Sequence, residues 1–377
     1  MSRLPFVIVL TAWISALAPQ TASAFTGHQD PGKMVGRCTP CHSSHGVTNT
    51  PMLRQAGDEF CLSCHSLQSA DPQKKRALGL STAAHPADIE SETRKAYPHR
   101  WAACHDCHSV HGVQSNRGGP VEPFTKGQVK ASTKRGFDTE ADLCLSCHGS
   151  RGVGGGDPHD LRALLDPRNP SYHPVLAVGP ARNVPSLRAP LSADARINCT
   201  DCHTNDDPNG PRGPHGSRLE GSLGAASNTQ EGQPESESAY ALCYACHDRR
   251  IVLEQDAFPY HKDHVVDERI PCRMCHEPHG ATSALALIRF NEPTVLTGVT
   301  VSSSGYLRYE SMGSGTGACF LTCHGVNHDP LGYGSGFDRK GRPLMPDMWQ
   351  SRSFSGPQLR NPGTRAAPAP KKIDRQR

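Results

Sequence analysis

Apolar residues are concentrated at the start of the chain, where Leu4 to Ala18 form a 15-residue, largely apolar run between Arg3 and the small-x-small pattern Ala22-Ser23-Ala24. A charged start, a short apolar stretch and a small-residue cleavage site predict a secretory signal peptide over 1–24, with the mature chain beginning near Phe25. The competing reading is an uncleaved anchor, but the run is shorter than the roughly 20 residues that cross a bilayer. No Cys follows the cleavage site directly, so a bacterial lipoprotein anchor has no attachment point. No later stretch is apolar and long enough to span a membrane. The mature chain is therefore expected outside the cytoplasm with no membrane span.

Beyond this leader the hydrophobic pattern is thin. Residues Ala284 to Tyr309, including the TGVTVS run from Thr297 to Ser302, are strand-like and predict a small β-hairpin. Elsewhere the pattern predicts short α-helices joined by irregular loops. A Gly-rich stretch from Gly149 to Gly156 separates an N-terminal part, 25–150, from a C-terminal part, 151–341. Within the latter, 221–238 (GSLGAASNTQEGQPESES) reads as a flexible surface loop. The end, 342–377, is Pro-rich and basic, closing on APAPKKIDRQR, and is expected to be a disordered tail. Such a tail could dock on an acidic partner or membrane surface; a solvated terminus is the plainer reading.

Composition sharpens this picture. With 36% hydrophobic residues, 6% aromatic residues, 36 Gly and 32 Pro in 377 positions, the chain lacks the side chains for an ordinary packed core. Disulfides or bound cofactors must organise it instead. The formal charge of +4 gives no argument for nucleic-acid binding.

All sixteen cysteines occur in pairs followed immediately by histidine. The pairs are Cys38/Cys41 with His42, Cys61/Cys64 with His65, Cys104/Cys107 with His108, and Cys144/Cys147 with His148. The second half continues with Cys199/Cys202 and His203, Cys243/Cys246 and His247, Cys272/Cys275 and His276, and Cys319/Cys323 and His324. Seven are C-x-x-C-H, the attachment signature of haem c, and the eighth is C-x-x-x-C-H. Residues three or four apart share one face of a helical turn, so both thiols reach the two vinyl groups on one porphyrin edge. The adjacent histidine then binds the iron from one axial side. Zinc is the rival, but its sites usually separate the second Cys from a ligating His by several residues. The expected cofactor content is eight covalent haems c.

The eight sites form four doublets. The first member of each is followed by His-Gly at His45, His111, His215 and His279, three times in the form CHSSHG, CHSVHG or CHEPHG. Repeats of this kind stack into elongated arrays. The expected fold class is mostly irregular with short helices, an elongated haem-organised repeat of two-haem units with little protein core. The phrases CTDCHTNDDPNGPRGPHGS, ALCYACH, HKDHVVDERIPCRMCHEPHG and CFLTCHGVNH resemble the doubled-CXXCH multihaem cytochromes of metal-reducing and other anaerobically respiring bacteria. That resemblance covers roughly residues 28 to 330. It implies electron transfer in the periplasm, across the outer envelope or outside the cell. The implied partners are redox proteins such as other cytochromes, a porin-cytochrome conduit or an extracellular acceptor.

An electron-transfer iron has both axial positions filled, whereas an enzyme needs an open one. Of the 21 histidines, eight follow the cysteine pairs, and the thirteen left are enough to give every iron a second ring. The repeat nominates His45, His111, His215 and His279; His28, His99, His173 and His264 complete the expected set. His85, His261 and His328 compete, while His105 and His159 read as surface residues. If the motifs are helical, a histidine three residues after the first ligand cannot reach round its own ring. On that reasoning His45 serves the haem of His65, His111 that of His148, His215 that of His247, and His279 that of His324. The main reading is an electron conduit; the alternative is an octahaem oxidoreductase acting on nitrogen or sulfur oxyanions at one open haem.

Overall fold

The computed structural model describes residues 39–43, 52–55, 60, 61, 63, 107, 139–149, 160–181, 183–208, 213–255, 258–290, 299–313, 315–323 and 325–346. The signal-peptide reading, the tail beyond 346, and the readings at His28, His45, His65, His85, His99, His105, His108, His111, His159 and His324 lie outside them. So do those at Cys38, Cys64 and Cys104.

The longest described helix, α1 (Glu140–His148), carries the fourth cysteine pair. Thr139 and Asp142 form a reciprocal capping box at its start, and Gly149 ends it with an N–H donated to the Leu145 carbonyl. The other α-helices among the described residues are α2 (Leu161–Leu164), α3 (Ala241–Tyr244) and α4 (Arg249–Glu254), each under two turns. Asp160 and Asp248 cap α2 and α4 by accepting from Ala163 and Ile251.

Two small sheets join these pieces. Strand β1 (Ser171–Tyr172) pairs antiparallel with β2 (Gly280–Ala281), linking segments more than 100 residues apart. The second sheet centres on β5 (Thr316–Cys323), with β6 (Val326–Tyr333) on one edge and β3 (Val299–Thr300) and β4 (Arg308–Gly313) on the other. Burial falls into three small clusters, around Leu145 and Val175, Tyr240 and Tyr244, and Ala318 and Phe320.

Two expectations are met differently. Among its described residues, the strand-like stretch 284–309 enters the sheet at Val299–Thr300 and Arg308–Tyr309. Its first part turns back instead, with Ala286 and Leu287 at φ 56 and 59, because its backbone is already engaged with the seventh motif and with Ser171. The segment 221–238 has no regular structure beyond a single 3-10 turn, yet it is tied down: Asn228 and Gly232 donate to the Ala239 and Arg269 carbonyls. Its Glu235 accepts from Arg249 Nε (2.8 Å) and the Tyr244 hydroxyl (3.0 Å).

Candidate haem sites

The fifth, sixth and seventh motifs, each C-x-x-C-H, share one local geometry. The N–H of His203, His247 and His276 donates to the carbonyl of Cys199, Cys243 and Cys272, four residues back, at 2.8 to 3.0 Å. A single helical turn therefore sets two thiols and one imidazole on a common side, as α1 does for Cys144, Cys147 and His148.

Of the first three pairs, one thiol each lies among the described residues: Cys41, Cys61 and Cys107, all half-buried and none in a disulfide. Their partners Cys38, Cys64 and Cys104 lie outside, so two thiols on one face remain an expectation for these pairs. Cys61 and Cys107 have helical backbone, as the spacing predicts. Cys41 stands in the turn that closes its motif, directly before the bridge at His42, as Cys202, Cys246 and Cys275 do before His203, His247 and His276. Its carbonyl accepts the Arg54 N–H at 3.1 Å, and Ser43 donates to the Met52 carbonyl at 2.8 Å, which draws the end of the motif into an extended pairing.

The eighth pair departs further. Cys319 and Cys323 lie on β5, not on a helical turn. Strand rise separates their α-carbons by about 13 Å, against about 6 Å in a helix. The shared face survives, because positions four apart also alternate to one side of a strand, but the close spacing of the thiols does not.

Four of the proximal histidines are also held by a returning segment that was not visible in the sequence. His42, His203, His247 and His276 form antiparallel bridges with Leu53, Leu223, Leu187 and Ile288. The residue after each apolar partner, Arg54, Gly224, Arg188 and Arg289, donates its N–H to the carbonyl of the motif's second cysteine (Cys41, Cys202, Cys246 and Cys275) at 2.9 to 3.1 Å. The residue before it is left-handed in three cases, Met52, Ser222 and Leu287, with φ between 54 and 61. Non-glycine residues persist there only when their surroundings enforce it. The common signal is one Leu or Ile at variable distance from the motif, too slight to read without coordinates.

The clasp also fixes ring orientation. Nδ1 of His203 and His276 contacts the Gly221 and Ala286 carbonyls (both 2.7 Å), and Nδ1 of His247 contacts Ser186 Oγ (2.9 Å). The spare histidines are held likewise: His264 to Tyr260 O (2.8 Å), His328 to Val326 O (3.1 Å), His173 to Pro278 O, and His279 to Glu277 Oε1 (2.8 Å). A proton fixed on Nδ1 leaves the Nε2 lone pair for a metal. Burial holds His173, His203 and His328 below the usual imidazole value, which favours the neutral form that ligates.

These rings come in pairs. The centroids of His203 and His279 are 6.1 Å apart, His261 and His276 6.2 Å, His264 and His328 6.4 Å, and His173 and His247 6.5 Å. Two imidazoles bound to opposite faces of one metal, each nitrogen about 2 Å from it, place their centroids about 6 Å apart. Phe258 packs between two of these pairs, 5.0 Å from His261 and 5.6 Å from His264.

The pairing corrects the cross-ligation expected from the repeat. His279 faces His203, and His247 faces His173 and not His215. The seventh motif is a single 3-10 turn, Cys272–Met274, so His279 has already left it. The chain then enters β2, whose pairing with β1 carries His279 beside His173; the His173 N–H donates to the His279 carbonyl at 3.2 Å. His261, a competitor in the sequence, takes the place opposite His276. His215 stands in a turn, its N–H donating to the Gly213 carbonyl.

Neighbouring motifs approach one another through their thiols. Cys144 and Cys199 lie with Glu140 in a group whose ligand atoms are within 4.8 Å. Glu140 is buried and committed elsewhere, accepting from the Thr200 N–H and hydroxyl, both at 2.9 Å. This cluster locks α1 onto the fifth motif and needs no metal of its own. Cys107, from the third motif, is close enough to Cys144 to help push that thiol up, behind the larger effects of Cys199 and burial. Cys243 and Cys272 likewise share a hydrogen bond; Cys272 holds the Cys243 thiol down to about 7. Cys275 sits near Cys323.

A family model described as the doubled CXXCH motif matches residues 32–70. Among curated proteins the chain is similar to "Multiheme cytochrome MtrA" of Shewanella baltica (strain OS185), 25% identical over 116 residues. That alignment covers 30% of this chain and 24% of the relative, so the chain matches about a quarter of that protein's length. No solved structure matches the chain.

Proposed function

We propose, the chain being a multihaem c-type cytochrome with doubled C-x-x-C-H motifs, that it carries electrons between redox proteins through eight covalently held haems. The observation that carries this is the set of three ring pairs at 6.1 to 6.5 Å in which a histidine next to a cysteine pair faces a spare histidine, the spacing that one iron between two imidazoles requires. Bound haem supplies a one-electron ferric–ferrous couple; the protein's part is to fill both axial positions so that no small molecule binds. His203 and His279 would hold the iron attached at Cys199/Cys202, His247 and His173 that of Cys243/Cys246, and His276 and His261 that of Cys272/Cys275. His264 and His328, neither of which follows a cysteine pair, are 6.4 Å apart, and one of them would join His324 on the iron of Cys319/Cys323.

Contacts between cysteines of successive motifs support a path from the third motif to the eighth. Cys107 near Cys144, Cys144 beside Cys199, and Cys243 beside Cys272 bring the attachment edges of neighbouring cofactors together. The haems are then close enough for an electron to hop along the chain. The resemblance to a multihaem cytochrome supports a secreted protein whose partners are other cytochromes or a porin-cytochrome conduit.

Filled axial positions set the test. Reduced, fully loaded protein is expected to show low-spin spectra, to bind little carbon monoxide, and to turn over nitrite, hydroxylamine or tetrathionate slowly. Stoichiometric carbon monoxide binding at one haem, with turnover of any of these, would instead establish the oxyanion oxidoreductase. A second expectation concerns loading. Denatured protein from a host with attachment machinery should carry eight haems and no free thiol by mass. Because β5 spreads Cys319 and Cys323 apart, the first incomplete species should be seven haems with both of these thiols free. A ceiling of four would end the multihaem-wire reading.

A further inference from the structure

Among the described ring pairs, Nδ1 contacts go to backbone carbonyls or a hydroxyl, with one exception. His279 Nδ1 lies 2.8 Å from the carboxylate of Glu277. The same oxygen accepts the His279 backbone N–H at 3.2 Å, and the Glu277 N–H donates to the Leu287 carbonyl at 2.9 Å within the clasp. The carboxylate side chain is 11% exposed, so solvent screens it little. The two other Cys-His-x-x-His-Gly runs carry Ser43 and Ser109 at this place, neutral groups that cannot act in the same way.

The pair His203–His279 also has a special location. Its cysteines, Cys199 and Cys202, belong to the motif that α1 contacts through Glu140 and Cys144. The iron between these rings is therefore the one at which the four-haem N-terminal part meets the four-haem C-terminal part.

We propose that Glu277 is a positioning and tuning residue that makes this junction iron the hardest to reduce among the haems of the C-terminal part. This rests on the reading that His203 and His279 are its two ligands. A carboxylate accepting the Nδ1 proton pulls it partly from the ring, and the ring becomes a stronger electron donor. A stronger donor stabilises ferric over ferrous iron, so reduction by one electron from a neighbouring haem becomes less favourable. Arg273 near His203 and Arg289 near Glu277 act in the opposite direction through space, but neither can accept the ring proton. The consequence is an uphill step between the two parts. Each part can hold electrons separately, and transfer across the junction is set by one hydrogen bond.

The test is Glu277→Gln in the full, haem-loaded protein, because glutamine keeps an acceptor oxygen and removes the charge. Redox titration with each haem followed by its own NMR or EPR signals should show the haem of Cys199/Cys202 becoming about tenfold easier to reduce, 59 mV for a one-electron couple. Its low-spin signature should persist. Glu254→Gln, at the exposed end of α4, measures the general effect of losing one charge. A shift no larger than in that control, or a larger shift at a different haem, would overturn the tuning role. The ligand assignment is checked separately with His279→Met. If that variant changes ligation at the Cys199/Cys202 haem while Glu277→Gln leaves its potential alone, tuning fails and the pairing stands. A change of ligation at another haem removes both.

Discussion

In a Gly280→Ala protein, two irons lose their second histidine together: the one attached at Cys199/Cys202 and the one attached at Cys243/Cys246. Gly280 is half of β2, and a Cβ there would lie 2.0 Å from the Leu164 carbonyl oxygen and 3.1 Å from that of Ser171. Both obstacles are backbone, so no side-chain rotation relieves them. The β1–β2 ladder must open, and it is only two residues long. His173 follows β1 directly and His279 precedes β2 directly, so opening the ladder withdraws both rings from their partners, His247 and His203. The expected cost is on the order of 2–4 kcal/mol. EPR of the oxidised protein should show two low-spin centres changed and the others intact, with a lowered Tm. Gly232→Ala is the comparison: its φ is 77, so a side chain is disfavoured by about 1–2 kcal/mol, but nothing lies within 4 Å and no ligand depends on it. If Gly280→Ala leaves all haems low-spin, the ladder does not hold the two histidines.

His279→Met should act on a single haem and identify it. Methionine raises the potential of the iron it ligates relative to histidine, by on the order of 0.1 V. The shifted haem should be that of Cys199/Cys202, because His203 faces His279 at 6.1 Å with ring planes 3° apart. Potentials of the Cys272/Cys275 and Cys319/Cys323 haems should move far less. His173→Met should give the matching result at Cys243/Cys246. A shift at the haem of Cys319/Cys323 would restore the order that the repeat alone suggests, in which each doublet ligates itself.

The contrast between these two schemes shows where local reasoning ended. Counting three residues from His276 to His279 assumed that the helical turn of the motif continued. It stops at Met274, and Pro278 and Gly280 then direct the chain into a strand. The sequence places His173 in the expected ligand set but does not say which iron it serves, since the ring it faces lies 74 positions away at His247. The clasps at Leu53, Leu187, Leu223 and Ile288 went unread because each is a single apolar residue on either side of its motif at no fixed spacing. Asp142 and Thr139, by contrast, are a local signal, and their capping box starts α1 immediately ahead of the fourth cysteine pair.

By itself the sequence determined the chemistry of attachment, since a thiol pair with an adjacent imidazole is a contiguous arrangement that one turn of backbone can realise wherever it occurs. It also determined the supply of imidazoles, which is a matter of counting histidines. Which ring faces which, and which ring pair has a carboxylate beside it, were decided only by the tertiary structure. Axial ligands of one iron approach from opposite faces of a flat cofactor, so the second must come from a different part of the chain. Its identity depends on ladders and clasps that close loops of 10 to over 100 residues, such as Ser171 with Ala281 and His276 with Ile288.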